Sequence, residues 1–121
     1  MSFNTVCWAD IPVKNLDRAI TFYTAVLGSK VSKEGDGGFT FGLLPHSEQN
    51  ASGCLVEMTE PSQKGPLVYL SVEGRMDAAL AEAERNNGKV VAPKHSIGPH
   101  GFRAIIIDSE GNKIALHSHA E

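Results

Sequence analysis

Two side chains in this sequence are the main candidates for acid–base chemistry, a glutamate near its middle and a histidine near its end. Glu57 lies in an apolar strand segment, between Val56 and Met58. If that carboxyl is partly desolvated, its pKa rises and it becomes suited to abstracting a proton. His117 carries an imidazole, whose ordinary pKa of about 6.5 suits a general base or a hydrogen-bond partner. We therefore expect Glu57 and His117 to be the catalytic residues if the protein is an enzyme.

Each candidate also has a structural alternative. Glu57 could face water or pair with Arg103, and His117 could belong with His119 to a solvated C-terminal end. The other histidines lie in loops rich in proline, glycine and serine, where a surface position is more common than a role in gating a cleft. They are His46, His95 and His100.

Composition limits the class of protein before any motif is considered. Of the 121 residues, 41% are hydrophobic and 21% are charged, which is typical of one folded globular domain. The formal net charge is -3 and the 11 Lys and Arg residues are scattered, which argues against a nucleic-acid partner. The longest apolar run, residues 104–107, is too short to span a bilayer, and the first residues carry no secretory signal. We therefore expect a cytoplasmic protein with no nucleic-acid or membrane partner.

The two cysteines, Cys7 and Cys54, are expected to be reduced core residues. Free cysteine is among the most buried residue types, and nothing in the sequence suggests export to an oxidising compartment. The chain also has no CxxC motif and no cysteine–histidine pattern typical of a zinc site.

Apolar periodicity predicts a strand, a helix and three more strands in the first half of the chain. Residues 6–13 alternate as a strand. Asn15 is a candidate N-cap, and an apolar stripe predicts a helix up to Leu27 that is followed by Gly28. The three further strands are predicted at residues 30–33, 39–44 and 53–59.

The second half of the chain repeats this order. A strand is predicted at residues 67–72, and a helical stripe runs from Met76 to Ala83 and is closed by Gly88. Short strands follow at residues 90–91, 102–107 and 113–117, with a loop over residues 93–101.

Corresponding features of the two halves lie about sixty residues apart. Val13 and Val72 end equivalent strands, and Gly28 and Gly88 follow equivalent helices. Because neither half could bury its own sheet alone, the repeat predicts one domain, residues 1–121, made of two βαβββ modules that meet near residue 60.

Three segments carry a recognisable pattern: residues 11–19 continuing to Leu27-Gly28, residues 65–72, and the ending Asp108-Ser109-Glu110-Gly111-Asn112. Together they resemble the first strand and helix, the fifth strand and the closing D-P-x-G-N hairpin of the vicinal oxygen chelate superfamily. This superfamily includes glyoxalases, bleomycin resistance proteins and dioxygenases. Ser109 stands where proline is usual. Residues 93–94, 101–102 and 116–118 look most like a bacterial branch related to lactoylglutathione lyase.

The resemblance implies an α+β fold in which two βαβββ modules form a curved mixed sheet cup, with the helices outside and a ligand cleft inside. Strand alternation then predicts which residues face this cleft. They are Trp8, Asp10, Leu55, Glu57, Thr59, Leu67, Tyr69, Ser71, Lys113, Ala115 and His117. Phe39 and Phe41 could join Trp8 and Tyr69 as an aromatic wall for a ligand, and core packing or a dimer interface would explain these four residues equally well. Arg103 joins them only if its strand has the right phase, which the apolar residues 105–107 leave open.

The resemblance also implies a divalent metal ion held by one side chain from each of four strands. When the family's four metal-ligand positions are matched to this sequence one at a time, they correspond to Trp8, Glu57, Leu67 and Ala115. Of these side chains, only that of Glu57 can bind such a cation. We therefore expect no metal cofactor, with an atypical site of Glu57, His117 and Asp10 as the alternative.

Two functions fit this reading. The first is an enzyme that acts on a small organic molecule without the usual metal, as a lyase or isomerase with Glu57 as base. The alternative is a non-catalytic protein that binds and sequesters such a molecule, as bleomycin resistance proteins of this superfamily do. The expected ligand-binding residues are Trp8, Asp10, Phe41, Leu55, Leu67, Tyr69, Arg103 and Ala115. We also expect a homodimer, because two small modules leave sheet edges and apolar surface exposed.

Overall fold

Each half of the chain forms a strand, a helix and three further strands in the computed structural model, which describes residues 5–36, 38–47, 52–57 and 60–121. The first module contains β1 (Trp8–Pro12), α1 (Leu16–Leu27), β2 (Ser32–Asp36), β3 (Phe39–Leu43) and β4 (Ser52–Val56). The second contains β5 (Val68–Ser71), α2 (Met76–Arg85), β6 (Lys89–Ser96), β7 (Phe102–Ile107) and β8 (Lys113–Ser118), with a short 3-10 turn, Gly98–His100, before β7. The predicted α+β class and its two βαβββ units are confirmed.

The two four-stranded sheets share one topology. Their strand orders are β1-β4-β3-β2 and β5-β8-β7-β6. In each sheet the first and last strands of the module pair in parallel, as β1 does with β4 and β5 with β8, and the other pairs are antiparallel. The repeat seen in the sequence is therefore a repeat of pairing as well as of element order.

Helix α1 begins and ends where its local sequence predicts. The Asn15 side chain accepts the backbone N–H of Arg18 at 3.0 Å, and Gly28 follows with a left-handed φ of 69°. One stripe of the helix is buried: Leu16, Ala19, Phe22, Tyr23 and Val26. Neither helix of the described residues is long and apolar enough to cross a membrane.

Helix α2 ends before Gly88, the residue that the sequence suggested as its close. The last helical residue is Arg85, and Asn87 adopts the left-handed conformation, with φ 74°. Gly88 matters for a different reason, since a Cβ atom there would lie 2.6 Å from Cε1 of Phe22. Glycine at this position therefore lets helix α1 approach the chain that leaves α2.

Strand β6 is longer than expected, because residues 93–96, predicted as part of a loop, continue the strand. Pro93 is tolerated because β6 is the edge strand of its sheet. Its pairing with β7 shifts register between Val90 and Ala92 and again between Ala92 and His95. The proline and the irregular pairing explain why periodicity missed this part of the strand.

The predicted phase of β4 is wrong, and with it the expected place of Leu55 in the cleft. In the register with β1, Cys54 pairs with Asp10 and Leu55 pairs with Ile11. Leu55 is fully buried in the same core cluster as Ile11. The neighbouring residues 54–56 are all apolar and hide the alternation, so only pairing with β1 fixes the phase. Met58 and Thr59, assigned from the same alternation, lie outside the described residues.

The two cysteines differ from the expected pair of core residues. Both thiols are free, but Cys7 is exposed because it precedes β1, whereas Cys54 is buried. Burial, followed by the hydrogen bond to Asp10, raises the pKa of the Cys54 thiol. This thiol is therefore protonated at neutral pH and is a poor nucleophile.

A turn of the second module, residues 108–112, fastens it to the start of helix α1. The Glu110 carboxylate accepts the backbone N–H groups of Lys14 and Asn15 at 2.9 and 2.8 Å. It also accepts Nε–H and Nη2–H of Arg18 at 2.7 and 2.8 Å. Ser109, standing where proline is usual, donates its hydroxyl to the same carboxylate at 2.9 Å.

The same turn reaches the core through a buried tyrosine. The hydroxyl of Tyr23, which has no exposed surface, donates to the Asp108 carboxylate. Asp108 also accepts the backbone N–H groups of Glu110 and Asn112, each at 2.9 Å. The Asn112 side chain in turn donates to the Pro12 carbonyl at 2.6 Å. The turn thus contacts both β1 and α1 of the first module.

The free energy of unfolding should fall as the pH is lowered from 4.5 toward about 2, the ordinary and the folded pKa of Glu110. Burial by itself raises this pKa, but the Arg18 side chain, assisted by N–H and hydroxyl donors, outweighs it. A lowered carboxyl pKa stabilises the fold above the unfolded pKa, and this contribution is lost as the pH falls through the folded pKa. The shift corresponds to at most about 3 kcal/mol.

Urea unfolding at a series of pH values measures this contribution. Glu110→Gln should be less stable than the wild type at neutral pH and should show a flatter dependence in the acid range. Asp17→Asn is the matched control, because Asp17 pairs with Lys33 at 2.9 Å on the surface. Its effect should stay within about 0.5 kcal/mol, with the wild-type pH dependence. If the free energy of unfolding fell equally with decreasing pH in the wild type and in Glu110→Gln, the pH dependence would not come from Glu110.

Candidate functional site

Each sheet packs one face against the core and leaves an opposite face, here called the helix-free face. In the first sheet, Ile11 and Leu55 point into the core, so their neighbours in β1 and β4 project from the helix-free face. In the second sheet, Ile114 and Leu116 mark the core side. The two helix-free faces carry the predicted residues Trp8, Asp10 and Phe41, and Tyr69, Arg103, Ala115 and His117, respectively.

On the first sheet, Asp10 organises the helix-free face. Nε1–H of Trp8 donates to Oδ1 of Asp10 at 3.0 Å, and the Cys54 thiol donates to the same oxygen at 3.3 Å. The Trp8 side chain stays 47% exposed. Phe39 and Phe41 contact each other farther across the sheet, with ring centroids 5.7 Å apart. This face therefore presents aromatic surface, with its carboxylate already bound by neighbouring donors.

On the second sheet, Arg103 of β7 organises the helix-free face. Its Nη1–H donates to the hydroxyl oxygen of Tyr69 at 2.7 Å, and its Nε–H donates to Nε2 of His95 at 3.1 Å. Nδ1–H of His95 donates in turn to the Pro93 carbonyl at 2.9 Å. The pairing of Arg103 with His117 in the register of β7 and β8 resolves the phase that the sequence left open.

Glu57 lies apart from both helix-free faces. Its Oε2 accepts the backbone N–H of Leu16, the first residue of α1, at 2.7 Å, and the residue is exposed. The corrected phase of β4 explains this position, because Glu57 follows Leu55 on the helix side of the strand. The partly desolvated cleft carboxylate expected from the sequence is therefore not formed, and Glu57 instead satisfies a free N–H at the start of a helix.

The remaining predicted residues are placed as follows. His117 shares the helix-free face with Arg103, and its Nε2–H donates to the His100 carbonyl at 2.7 Å. Ala115 is fully buried in the middle of β8 and pairs with Tyr69. Leu67 is half-buried just before β5, where it lines a small hollow that also includes Lys113.

Two clefts formed by described residues lie between the modules. The larger, of about 580 Å³, has the end of helix α1 on one side, at Leu27 and Ser29, and β5 on the other, at Tyr69. The smaller, of about 240 Å³, contains Asp10 together with Lys64 and Lys113. Tyr69 thus connects the larger cleft to the hydrogen-bonded group of Arg103, whereas Glu57 and Trp8 line neither cleft.

The four positions that the resemblance assigns to metal ligands do not provide a fitting donor set. Trp8 uses its indole N–H as a donor to Asp10, and Leu67 and Ala115 carry no donor atom. The Glu57 carboxylate is bound to the start of α1. One carboxylate directed away from the other three positions does not fit an ion held by four strands.

Sequence reasoning missed His95 as a member of this group. Its position in a segment rich in proline and glycine suggested a surface loop, whereas it lies in β6 and pairs with Arg103. Residues 92–96, Ala-Pro-Lys-His-Ser, carry no apolar alternation that could have indicated a strand. Cys54 was likewise assigned to the core face, although its thiol binds Asp10.

Comparison with known proteins agrees with this architecture. Residues 5–116 match the model of the Glyoxalase/Bleomycin resistance protein/Dioxygenase superfamily. The chain is 30% identical over 112 residues to CFP32, named as a glyoxylase candidate, from Mycobacterium bovis and Mycobacterium tuberculosis. This match covers 88% of the chain but spans only 41% of the length of CFP32.

Solved structures show the same fold at low sequence identity. A glyoxalase/bleomycin resistance protein from Albidiferax ferrireducens superposes with a TM-score of 0.75 at 17% identity, covering 95% of this chain and 98% of that one. A glyoxalase-related enzyme from Fulvimarina pelagi gives 0.69 at 11% identity, covering 96% and 88%. A glyoxalase I mutant from Zea mays gives 0.66 at 20% identity, with 93% of this chain matching 46% of that one. By its sequence match and its fold, the chain belongs to the Glyoxalase/Bleomycin resistance protein/Dioxygenase superfamily.

Proposed function

We propose that the protein binds a small organic molecule with an anionic group in the cleft between its modules, without a metal ion at the four positions discussed above. The observation that carries this proposal is the placement of Arg103. Its guanidinium is one hydrogen bond away from Tyr69, which lines the cleft of about 580 Å³. Sites for small ligands commonly have volumes of about 300–1,000 Å³, so the cleft is large enough.

Arg103 keeps donor capacity for a ligand. A guanidinium has five N–H donors, and the contacts with Tyr69 and His95 use one each. These contacts also fix the side chain, so less conformational entropy is lost when it binds. A held, half-buried guanidinium suits a carboxylate or phosphate, which can accept two parallel hydrogen bonds.

The rest of the cleft favours an apolar or aromatic body for the ligand. Leu27 and Leu44 line it together with Tyr69, whose side chain is 47% exposed. An exposed aromatic residue beside a cleft offers contact area that a ligand can cover. The preferred ligand therefore combines one anionic group with a small apolar or aromatic part.

Binding is favoured over catalysis because the proposed base is not at the cleft. Glu57 is bound to the start of helix α1, and Nε2 of His117 is bound to the His100 carbonyl. A lyase or isomerase with Glu57 as base would need this carboxylate beside the ligand. A sequestering protein needs only the cleft and the positioned Arg103.

The exposed aromatic side chains also support a homodimer. Trp8, Phe39 and Tyr69 are each more than 40% exposed on the helix-free faces. Apolar surface of this kind is commonly covered in an assembly. Sedimentation at micromolar concentration should therefore give about twice the 13.0 kDa of one chain. A mass of one chain would contradict this expectation.

Arg103→Gln should weaken the binding of anionic ligands at least about tenfold, because a charged hydrogen bond typically contributes about 1.5–3 kcal/mol. The probes are small aromatic carboxylates and phosphate monoesters, with their neutral amides as matched compounds. A thermal-shift screen finds ligands, and titration calorimetry measures their affinities. Tyr69→Phe should weaken the same ligands less, by releasing the guanidinium.

Arg85→Gln is the matched control, since it removes the same charge from an exposed position on α2. Its affinities should equal those of the wild type. Equal affinities in the wild type and Arg103→Gln, or a preference for the neutral amides, would overturn the proposed anion site.

Glu57→Ala should lower the free energy of unfolding by about 1 kcal/mol, because it removes the acceptor for the first N–H of helix α1. It should leave the ligand affinity unchanged. The control is Glu60→Ala, which removes an exposed carboxylate three residues farther along the chain. Unchanged stability combined with lost ligand binding would instead support Glu57 as a residue of the site.

A further inference from the structure

A carboxylate and two imidazoles meet at the end of strand β8, away from the positions that the family resemblance assigns to a metal. Glu73 lies in the turn between β5 and α2, His117 lies in β8, and His119 follows it. One possible ligand atom from each side chain lies within 4.8 Å of the other two. The two imidazole rings are arranged edge to face, with centroids 4.8 Å apart.

The backbone holds this cluster in place from both sides. The N–H of Val72 donates to the His117 carbonyl at 2.8 Å, and the N–H of Gly74 donates to the Ser118 hydroxyl at 2.9 Å. These bonds join the turn after β5 to the end of β8. The sheet pairing therefore brings the backbone positions of the three residues close together.

The histidine in the strand has a fixed tautomer. A carbonyl oxygen can only accept, so the contact of 2.7 Å between Nε2 of His117 and the His100 carbonyl requires the proton on Nε2. Nδ1 of His117 then carries a free lone pair. Histidine ligands of metals commonly have this arrangement, in which the second ring nitrogen donates to a backbone carbonyl.

The carboxylate is oriented as well. The backbone N–H groups of His119 and Ala120 donate to Oε1 and Oε2 of Glu73 at 2.7 and 2.9 Å. Nδ1 of His119 also lies 3.2 Å from Oε1 of Glu73. Because a carboxylate offers about four acceptor positions, one oxygen can keep its backbone partner and also bind an ion.

We propose that Glu73, His117 and His119 form a binding site for one divalent transition-metal ion, with zinc as the representative case. Two imidazole nitrogens and one carboxylate oxygen suit zinc, copper or nickel, whereas magnesium and calcium prefer oxygen ligands throughout. Glu73 and His119 are exposed, so water can complete the coordination. A bound ion would connect the end of β8 to the turn before α2 and stabilise the fold.

Zinc titration of the untagged full chain, dialysed first against a chelator, tests this proposal. Calorimetry should give one ion per chain, and zinc should raise the melting temperature. His119→Ala and His117→Ala should each weaken zinc binding by at least about tenfold. Magnesium at the same concentration should change neither signal. Cobalt absorption should show ligand-field bands that both variants lose.

Two control variants separate this site from other zinc binding. His46→Ala removes an exposed imidazole of the first module, and Cys7→Ser removes the exposed thiol. Both should bind zinc like the wild type. Circular dichroism and melting without zinc show whether each variant is folded, and His119→Ala should pass because His119 is exposed.

Absence of zinc binding to the wild type would overturn the proposal. Equal zinc affinity in the wild type, His117→Ala and His119→Ala would overturn it too, as would a loss caused by His46→Ala or Cys7→Ser. The anion site at Arg103 is measured with different probes, so either proposal can fail without the other.

Discussion

The Glu110 carboxylate joins the two modules through more hydrogen bonds than either neighbouring contact of the same turn, Tyr23–Asp108 or Asn112–Pro12. Its side chain is fully shielded from solvent, yet it is ionised, because donors from residues 14–18 and from Ser109 converge on it. Two of these donors are backbone N–H groups at the start of helix α1, and a third group is the Arg18 guanidinium. Removing the carboxylate would break four hydrogen bonds between the two modules at once, two from backbone N–H groups and two from the Arg18 guanidinium. The position of α1 relative to the second sheet depends on this contact, and so does the cleft between the end of α1 and strand β5.

The order of helices and strands could be predicted because both halves of the chain show the same pattern of one strand, one helix and three strands. In residues 6–13 and 67–72, Asp10 and Ser71 interrupt otherwise apolar segments and mark the alternation, so the core faces are readable without a partner strand. The assignments on β1, β5 and β8 agree with the register of the sheets for this reason. Strand β4 has no such alternation, because Cys54, Leu55 and Val56 are all apolar. Its phase is determined by pairing with β1, about 44 residues away, which local sequence does not encode.

The predicted phase of β4 is wrong by one residue, and this changes the expected role of Glu57. A shift of one residue moves every side chain to the opposite face, so Glu57 passed from the cleft to the start of helix α1. The same carboxylate can be a general base or a helix cap, and its type and its apolar neighbours do not distinguish the two. Only the contact with Leu16, 41 residues earlier, decides between them. For Arg103 the opposite holds. The sequence left its phase open, and the pairing of β7 with β8 places it on the helix-free face.

In strand β8, the metal-ligand position implied by the family resemblance and the histidine of the proposed zinc site lie at different places along the same strand. The fourth ligand position of the family resemblance falls on Ala115, which has no donor atom and is buried against Tyr69. His117 lies two residues farther along and on the same face, which corresponds to a displacement of roughly 6–7 Å. That distance is too large for its imidazole to replace a ligand at position 115, since zinc–nitrogen bonds are about 2 Å long. It is large enough to bring His117 beside Glu73 and His119, at the edge where β8 meets the turn before α2. Side chains two residues apart in a strand lie on the same face of the sheet but at different positions along the strand. Residues 115 and 117 therefore have different neighbours. The middle of the strand then supports the aromatic surface at Tyr69, which pairs with Ala115, and its end supports the carboxylate–imidazole cluster at His117, which also pairs with Arg103. The two surfaces have different chemistry although they share a strand, a face and a hydrogen-bond ladder.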